Sequence, residues 1–160
     1  MGNSQDNEEL VEKIYHANAG SFWRFGMIKI YCDGKIENGE ALISAVYYDA
    51  EGKVMSSGRA RAEPARSKME AQYLAVIYTL ENALTYFALA EVPVELHLNS
   101  RAMVKHFNGK WPVKKKSLLK LHRKAVAKIA RFRKFTTKFS SENIFGLTEP
   151  QPEDDNEVEV

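Results

Sequence analysis

The sequence has one cysteine, Cys32, among its 160 residues. One thiol cannot build an internal disulfide framework or a Cys-rich zinc site, and no signal-peptide-like apolar stretch opens the chain. The sequence therefore predicts a reducing, cytoplasmic setting. No apolar run approaches the roughly 20 residues that cross a bilayer, which excludes a membrane-spanning helix. No internal repeat is present. Acid is missing from one long segment: between Leu96 and Ser141 there is no Asp or Glu, while 14 of the 23 Lys and Arg residues fall there. Conversely, seven of the 21 acids lie in the last nineteen residues. The net charge of +2 therefore conceals a basic third quarter and an acidic tail. A field of one sign concentrates polyanions and suits nucleic acid; the plainer reading of a Lys-rich run is a solvated helix face.

What is present suffices for one folded domain. At 44% hydrophobic and 28% charged residues, the chain is too rich in Phe, Tyr, Ile, Leu and Val to be disordered throughout. Residues 1–26 read as an appendage with a candidate short helix, capped by Ser4 or Asp6 and carrying Leu10, Val11 and Ile14 on one face. Residues 27–149 read as the domain, and 150–160 as an acidic, disordered tail. Met27 to Cys32 is β-rich, and turn chemistry at Asp33-Gly34 and Asn38-Gly39 precedes a second strand, Ala41 to Tyr48. A tight turn at Asp49–Gly52 leads into a third strand, Lys53 to Arg61. Past Pro64 the period changes: Met69, Tyr73, Val76, Ile77, Leu80, Leu84 and Phe87 fall on one stripe of a long helix. The pattern then predicts a strand at Val94–Leu98 and a short helix to Phe107, broken by Asn108-Gly109. A basic helix follows from an N-cap at Ser117 to Arg133, then a strand at Phe135–Phe139.

This βββαβααβ order, with its local motifs, resembles the ribonuclease H type 1 family from about Met27 to Asn143. Ile30-Tyr31-Cys32-Asp33-Gly34 is similar to the family's first strand, which carries its first catalytic aspartate. Ala71-Gln72-Tyr73-Leu74-Ala75-Val76-Ile77 is similar to its first helix, normally with a glutamate in second place. Leu98-Asn99-Ser100-Arg101 resembles the end of its fourth strand, normally Ser-Asp-Ser. Asn108-Gly109-Lys110-Trp111-Pro112-Val113-Lys114, followed by Leu118 and His122, resembles its Asn-Gly-x-Trp-x-Val-Lys connector. Several ordered motifs at the right separations are specific where any one alone is weak. The resemblance implies an α/β ribonuclease H-like fold. Its sheet has five strands, a three-stranded antiparallel meander plus parallel strands, and is flanked by helices.

The implied family chemistry is cleavage of the RNA strand of an RNA/DNA hybrid by two Mg²⁺ or Mn²⁺ ions held among four carboxylates. Hard cations about 3.5–4 Å apart need anionic oxygen ligands to be held against a substrate phosphate. Carried over by motif, those positions fall on Asp33, Gln72, Asn99 and, four residues after Asn143, Leu147. One carboxylate of four remains, so no cofactor is expected, with Asp33 the remaining ligand if any metal binds. Glu70 is the alternative to Gln72. Both lie on flanks of the apolar stripe, where helical periodicity does not choose between them, and the motif match selects Gln72. The nucleic-acid-binding candidates are Lys68, Arg101, Lys110, Trp111, Lys114, Lys115, Lys116, Lys120, Arg123 and Lys124. Lys68, with Ser67 or Met69, falls where the family usually places an Asn pair that reads the hybrid's minor groove, and lysine contacts phosphate without the amide edge that meets 2′-hydroxyls. The plainer readings make Phe107 and Trp111 connector packing, His97 a satisfied sheet residue, and Cys32 a small buried hydrophobe. The expectation is a catalytically inactive ribonuclease H-like protein that binds nucleic acid, hybrid or other duplex, weakly through a basic surface. The alternatives are an active Mg/Mn-dependent ribonuclease H and a protein-interaction module on the same fold.

Overall fold

Alternation along the first strand decides which side of the sheet becomes the core: Ile28, Ile30, Cys32 and Gly34 are buried, and Lys29 between them is exposed. A computed structural model describes residues 27–149, and the expected N-terminal helix and acidic tail lie outside the described residues. The described residues run β1 (Ile28–Glu37), β2 (Glu40–Tyr48), β3 (Val54–Pro64), α1 (Lys68–Thr85), a 3₁₀ turn at Leu89–Glu91, β4 (Val94–Leu98), α2 (Arg101–Phe107), α3 (Lys116–Ile129), β5 (Phe135–Phe139) and α4 (Ile144–Leu147). They form a five-stranded sheet in the order β3-β2-β1-β4-β5. The first three strands pair antiparallel, and β4 and β5 run parallel to β1. Among the described residues no helix is long and apolar enough to cross a membrane.

Asp33-Gly34 is not the turn the sequence suggests. Both residues continue β1, opposite Ser44 and Ile43 of β2. The hairpin turn is at Asn38-Gly39, whose φ values of 53° and 78° supply the left-handed pair that a two-residue hairpin of this twist requires. Gly34 serves a different purpose, because a Cβ built on it would lie 2.1 Å from the carbonyl oxygen of Ala71. The backbone of α1 thus rests directly on β1, which only a residue without a side chain allows.

Helix α1 is the centre of the core. Ala71, Tyr73, Leu74, Ala75, Val76, Leu80 and Ala83 are buried along it, and the alanines keep its axis close to the sheet. Ser67 caps its start by accepting a hydrogen bond from Glu70 N at 3.1 Å. Tyr73, fully buried, ties three helices together: its hydroxyl hydrogen-bonds Nδ1 of His106 at 3.0 Å and Nδ1 of His122 at 3.2 Å. A phenol has one proton to give, so one imidazole accepts it and the other donates into the phenolic oxygen. Phe107 packs edge-on against Tyr73 and stacks on His122. The connector's Phe107 is therefore packing, as expected, whereas Trp111 is 48% exposed with the Lys105 ammonium 4.1 Å from its ring.

The basic helix starts one residue earlier than its expected cap. Lys115 occupies the N-cap position without a side-chain hydrogen bond, and Ser117 lies inside the first turn. Burial of Leu118 and Ala125 sets this start in place of a hydroxyl cap. The helix ends at Ile129, short of Arg133, and the chain then turns Phe132 into the core, 5.3 Å from the ring of Phe135. On the opposite face of the sheet, Glu95 is buried but paired. It accepts from His97 Nε2 at 2.6 Å and from Lys138 Nζ at 3.0 Å, while Tyr31 stacks on His97 at 4.3 Å. His97 is a satisfied sheet residue.

The contact at Gly34 yields a test. Gly34→Ala forces a methyl group into the Ala71 carbonyl, and neither backbone can move without disturbing both β1 and α1. The expected loss is about 3 kcal/mol or more in urea unfolding, whereas Gly58→Ala, where a Cβ meets nothing within 4 Å, changes stability far less.

Candidate functional site

The β1–β4 ladder ends at the pair Cys32–Leu98. Asp33 and Asn99 are the next residues on the two parallel strands, so they stand side by side where β4 leaves the sheet for α2 and β1 continues paired with β2 alone. Ser100 enforces that departure by capping α2, its hydroxyl accepting from Met103 N at 3.2 Å. The gap admits a side chain from α1: Gln72, 7% exposed, donates from Nε2 to Asp33 Oδ1 at 3.2 Å. Gly34 N donates to the same oxygen at 2.9 Å.

Glu70 is turned elsewhere. It lines a cleft of about 530 Å³ between α1 and α3, together with Leu74, Ser117, Lys120, Leu121 and Lys124. The residue that meets Asp33 is therefore Gln72. Asn99 donates from Nδ2 to the backbone carbonyl of Glu142 at 3.1 Å, which ties β4 to the segment after β5. Asn143 caps α4, accepting from Gly146 N at 3.2 Å, and Leu147 at the end of that turn is 42% exposed. Among the described residues no group of three or more His, Cys, Asp or Glu side chains is placed to hold a metal ion.

Burial raises the pKa of Asp33 above the usual carboxylate range, and four groups oppose that rise: hydrogen bonds from Gln72 and Gly34, and the positive charges of Lys68 and Lys35. Cys32, next along β1, is 1% exposed, and burial pushes its thiol up to about 12, so it is a neutral hydrophobe.

The basic candidates divide into two groups. Lys110, Lys114, Lys115, Lys116, Lys120, Arg123 and Lys124 are exposed on the connector and on α3, which packs on α1. Lys68 and Arg101, also exposed, begin α1 and α2 beside the strand ends. The Arg101 guanidinium lies 4.0 Å from the ring of Phe139. Sequence reading missed Lys35, whose ammonium sits 4.5 Å from the ring of Phe145, and the short helix α4 that supplies that ring. Strand alternation carried a signal for Lys35, since residues two apart share a face with Asp33.

A raised carboxylate pKa has a signed consequence. The folded state holds the Asp33 proton more tightly than the unfolded chain, so ionised Asp33 costs stability above its folded pKa and costs nothing below its unfolded value. Asp33→Asn keeps an acceptor oxygen for Gly34 and Gln72 and removes the charge. Its thermal midpoint should exceed the parent's at neutral pH, and the difference should close as the pH falls below about 4. A variant less stable than the parent at neutral pH would contradict this electrostatic account.

Comparison with known proteins agrees with this fold. A family model described as reverse transcriptase-like matches residues 31–144. No curated protein matches the chain significantly. Among solved structures, the ribonuclease H1 of Halobacterium salinarum superposes with a TM-score of 0.64 at 22% identity, covering 72% of this chain and 86% of that one. The compost-derived ribonuclease H1 LC11, in complex with an RNA/DNA hybrid, gives 0.63 at 25% identity over 71% and 84%. The foamy viral protease-reverse transcriptase in complex with double-stranded DNA gives 0.58 at 13% identity over 79% and 88%. With strand order, helix placement and the family match in agreement, the chain belongs to the reverse transcriptase-like family and has the ribonuclease H fold.

Proposed function

We propose that this chain is a nucleic-acid-binding member of its family that does not cleave RNA/DNA hybrids. One observation carries the reading: at the ends of β1 and β4 a single carboxylate, Asp33, is hydrogen-bonded by the amide of Gln72 at 3.2 Å. The donor set does not fit two divalent cations. Gln72 and Asn99 bring neutral amides, and the latter's nitrogen is engaged by the Glu142 carbonyl. Leu147 brings no oxygen. Without at least two anionic ligands, hard cations lose most of the attraction that holds them against a phosphate.

The binding half of the proposal rests on charge. Exposed Lys114, Lys115, Lys116, Lys120, Arg123 and Lys124 follow one another along the connector and α3, and the segment from Leu96 to Ser141 holds no acid to offset them. Phosphate contacts of this kind position a duplex without reading its sequence. The structural neighbours solved with hybrid and with duplex DNA favour a double-stranded ligand. In this reading residues 27–149 form the binding domain, the protein is cytoplasmic, and the acidic residues of 150–160 compete with nucleic acid for the basic surface as a tethered polyanion.

Labelled hybrid incubated with the protein in Mg²⁺ or Mn²⁺ should be cleaved at no more than background; metal-dependent turnover by the unmodified chain would overturn the inactive reading. In filter binding at low salt, affinity should fall with a log–log salt slope of about −4 to −5, as four to six phosphate contacts imply. Deleting residues 151–160 should tighten binding, and changing Lys114, Lys115 and Lys116 to Glu should remove most of it. Retention of no DNA, RNA or hybrid by the full-length or tail-deleted chain would end the nucleic-acid role.

A further inference from the structure

The strand ends carry positive charge of their own, apart from the connector and α3. Lys35 lies two residues beyond Asp33 on β1, on the same face, with its ammonium held 4.5 Å from the ring of Phe145. Phe145 is fixed in turn, since Arg59 donates to its carbonyl at 2.5 Å and Ser44 accepts or donates across to Thr148 at 2.6 Å. On the other flank, Lys68 opens α1 one helical turn before Gln72, on the same side of that helix, and Gln72 is bonded to Asp33. The close packing of Ala71 on Gly34 keeps this first turn pressed against β1. Both lysines act electrostatically on the Asp33 carboxyl, so two positive charges lie near one carboxylate.

Of the neighbouring acids, Glu70 faces the cleft between α1 and α3, and Glu37 is paired with Arg61 at 2.8 Å. Glu142, whose carbonyl holds Asn99, lines the adjoining cleft with Lys29, Tyr31, Tyr48 and Leu147. Arg101, at the start of α2, adds a third exposed cation beside Asn99.

We propose that Lys35 and Lys68 grip a nucleic-acid phosphate at the ends of β1 and β4 directly, so that this contact forms without a divalent cation. An ammonium is a point charge with three donors and suits phosphate oxygens without demanding a fixed coordination geometry. It supplies the positive charge that a phosphodiester requires where a carboxylate-poor site holds no metal. Asp33 has one oxygen taken by Gln72 and Gly34, and its single charge leaves the two lysines in excess. The positive influence of both lysines on the Asp33 carboxyl is consistent with their proximity.

This site rests on the nucleic-acid-binding reading, and the test separates the two. Labelled RNA/DNA hybrid is titrated with the full chain at matched ionic strength, with Mg²⁺ and with a chelator. The expected result is binding in both buffers, no weaker with the chelator than with Mg²⁺. Lys35→Ala combined with Lys68→Ala should weaken binding about tenfold or more at low salt and flatten the log–log salt slope by about 2, one unit per lost contact. Lys35→Arg with Lys68→Arg should keep both. If the wild type binds but the alanine variant matches it in affinity and slope, the site falls and the binding reading stands. If wild-type binding requires Mg²⁺, the site also falls. If the wild type retains no hybrid while tail-deleted protein retains none either, both fall together.

Discussion

The contact between the backbones of β1 and α1 at Gly34 governs the rest of this structure. Side-chain packing ordinarily holds a helix about 10 Å above a sheet. Here the missing Cβ lets the Ala71 carbonyl come down onto the strand, and the small residues Ala71, Ala75 and Ala83 continue the approach along the helix. The core of Ile30, Tyr73, Val76, Leu80 and Leu96 closes beneath it. The same contact sets the rotation of α1, and with it which side chain reaches through the gap beyond Cys32 and Leu98. Gln72 enters that gap and Glu70 leaves it, although the two are only two positions apart.

From this follows the electrostatic character of the strand ends. Asp33 is partly withdrawn from water, and an isolated carboxylate there would be expensive. It is made tolerable by an amide, a backbone N–H and two lysines. A second carboxylate in place of Gln72 would repel the first, and a bound cation would be needed to relieve the repulsion. The site is thus internally consistent as a carboxylate compensated by protein cations. In the proposed reading this balance replaces metal chemistry with direct recognition of phosphate.

The basic surface depends on a different device. Helix α3 carries a one-sided pattern, with Leu118, Leu121 and Ala125 toward α1, Lys120 and Lys124 along the cleft between the two helices, and Lys116 and Arg123 exposed. Its docking is reinforced by the Tyr73 hydroxyl through His122 and by the pair between Lys128 and Glu81 at 2.5 Å. Lysine stems cover apolar surface while their ammonium groups stay in water, so this helix can be densely basic and still pack.

The sequence by itself determined the strand and helix order, because periods of two and of 3.6 residues alternate clearly along the chain, and it located Asp33, Gln72 and Asn99 through motifs that resemble a known family. It also determined the charge segregation, which is a property of composition alone. It ended β1 at Cys32, with turn chemistry at Asp33-Gly34, and read Ser117 as a cap, since local propensity says nothing of what packs against a residue. Gly34 is a strand residue made necessary by α1, and α3 begins where its apolar face meets α1. The hydrogen bond from Gln72 to Asp33, the clamp of Tyr73 between His106 and His122, and the position of Lys35 over Phe145 were decided only in the tertiary structure. Each of them joins residues dozens of positions apart, and their meeting depends on the contact of two backbones, which no one-dimensional pattern records.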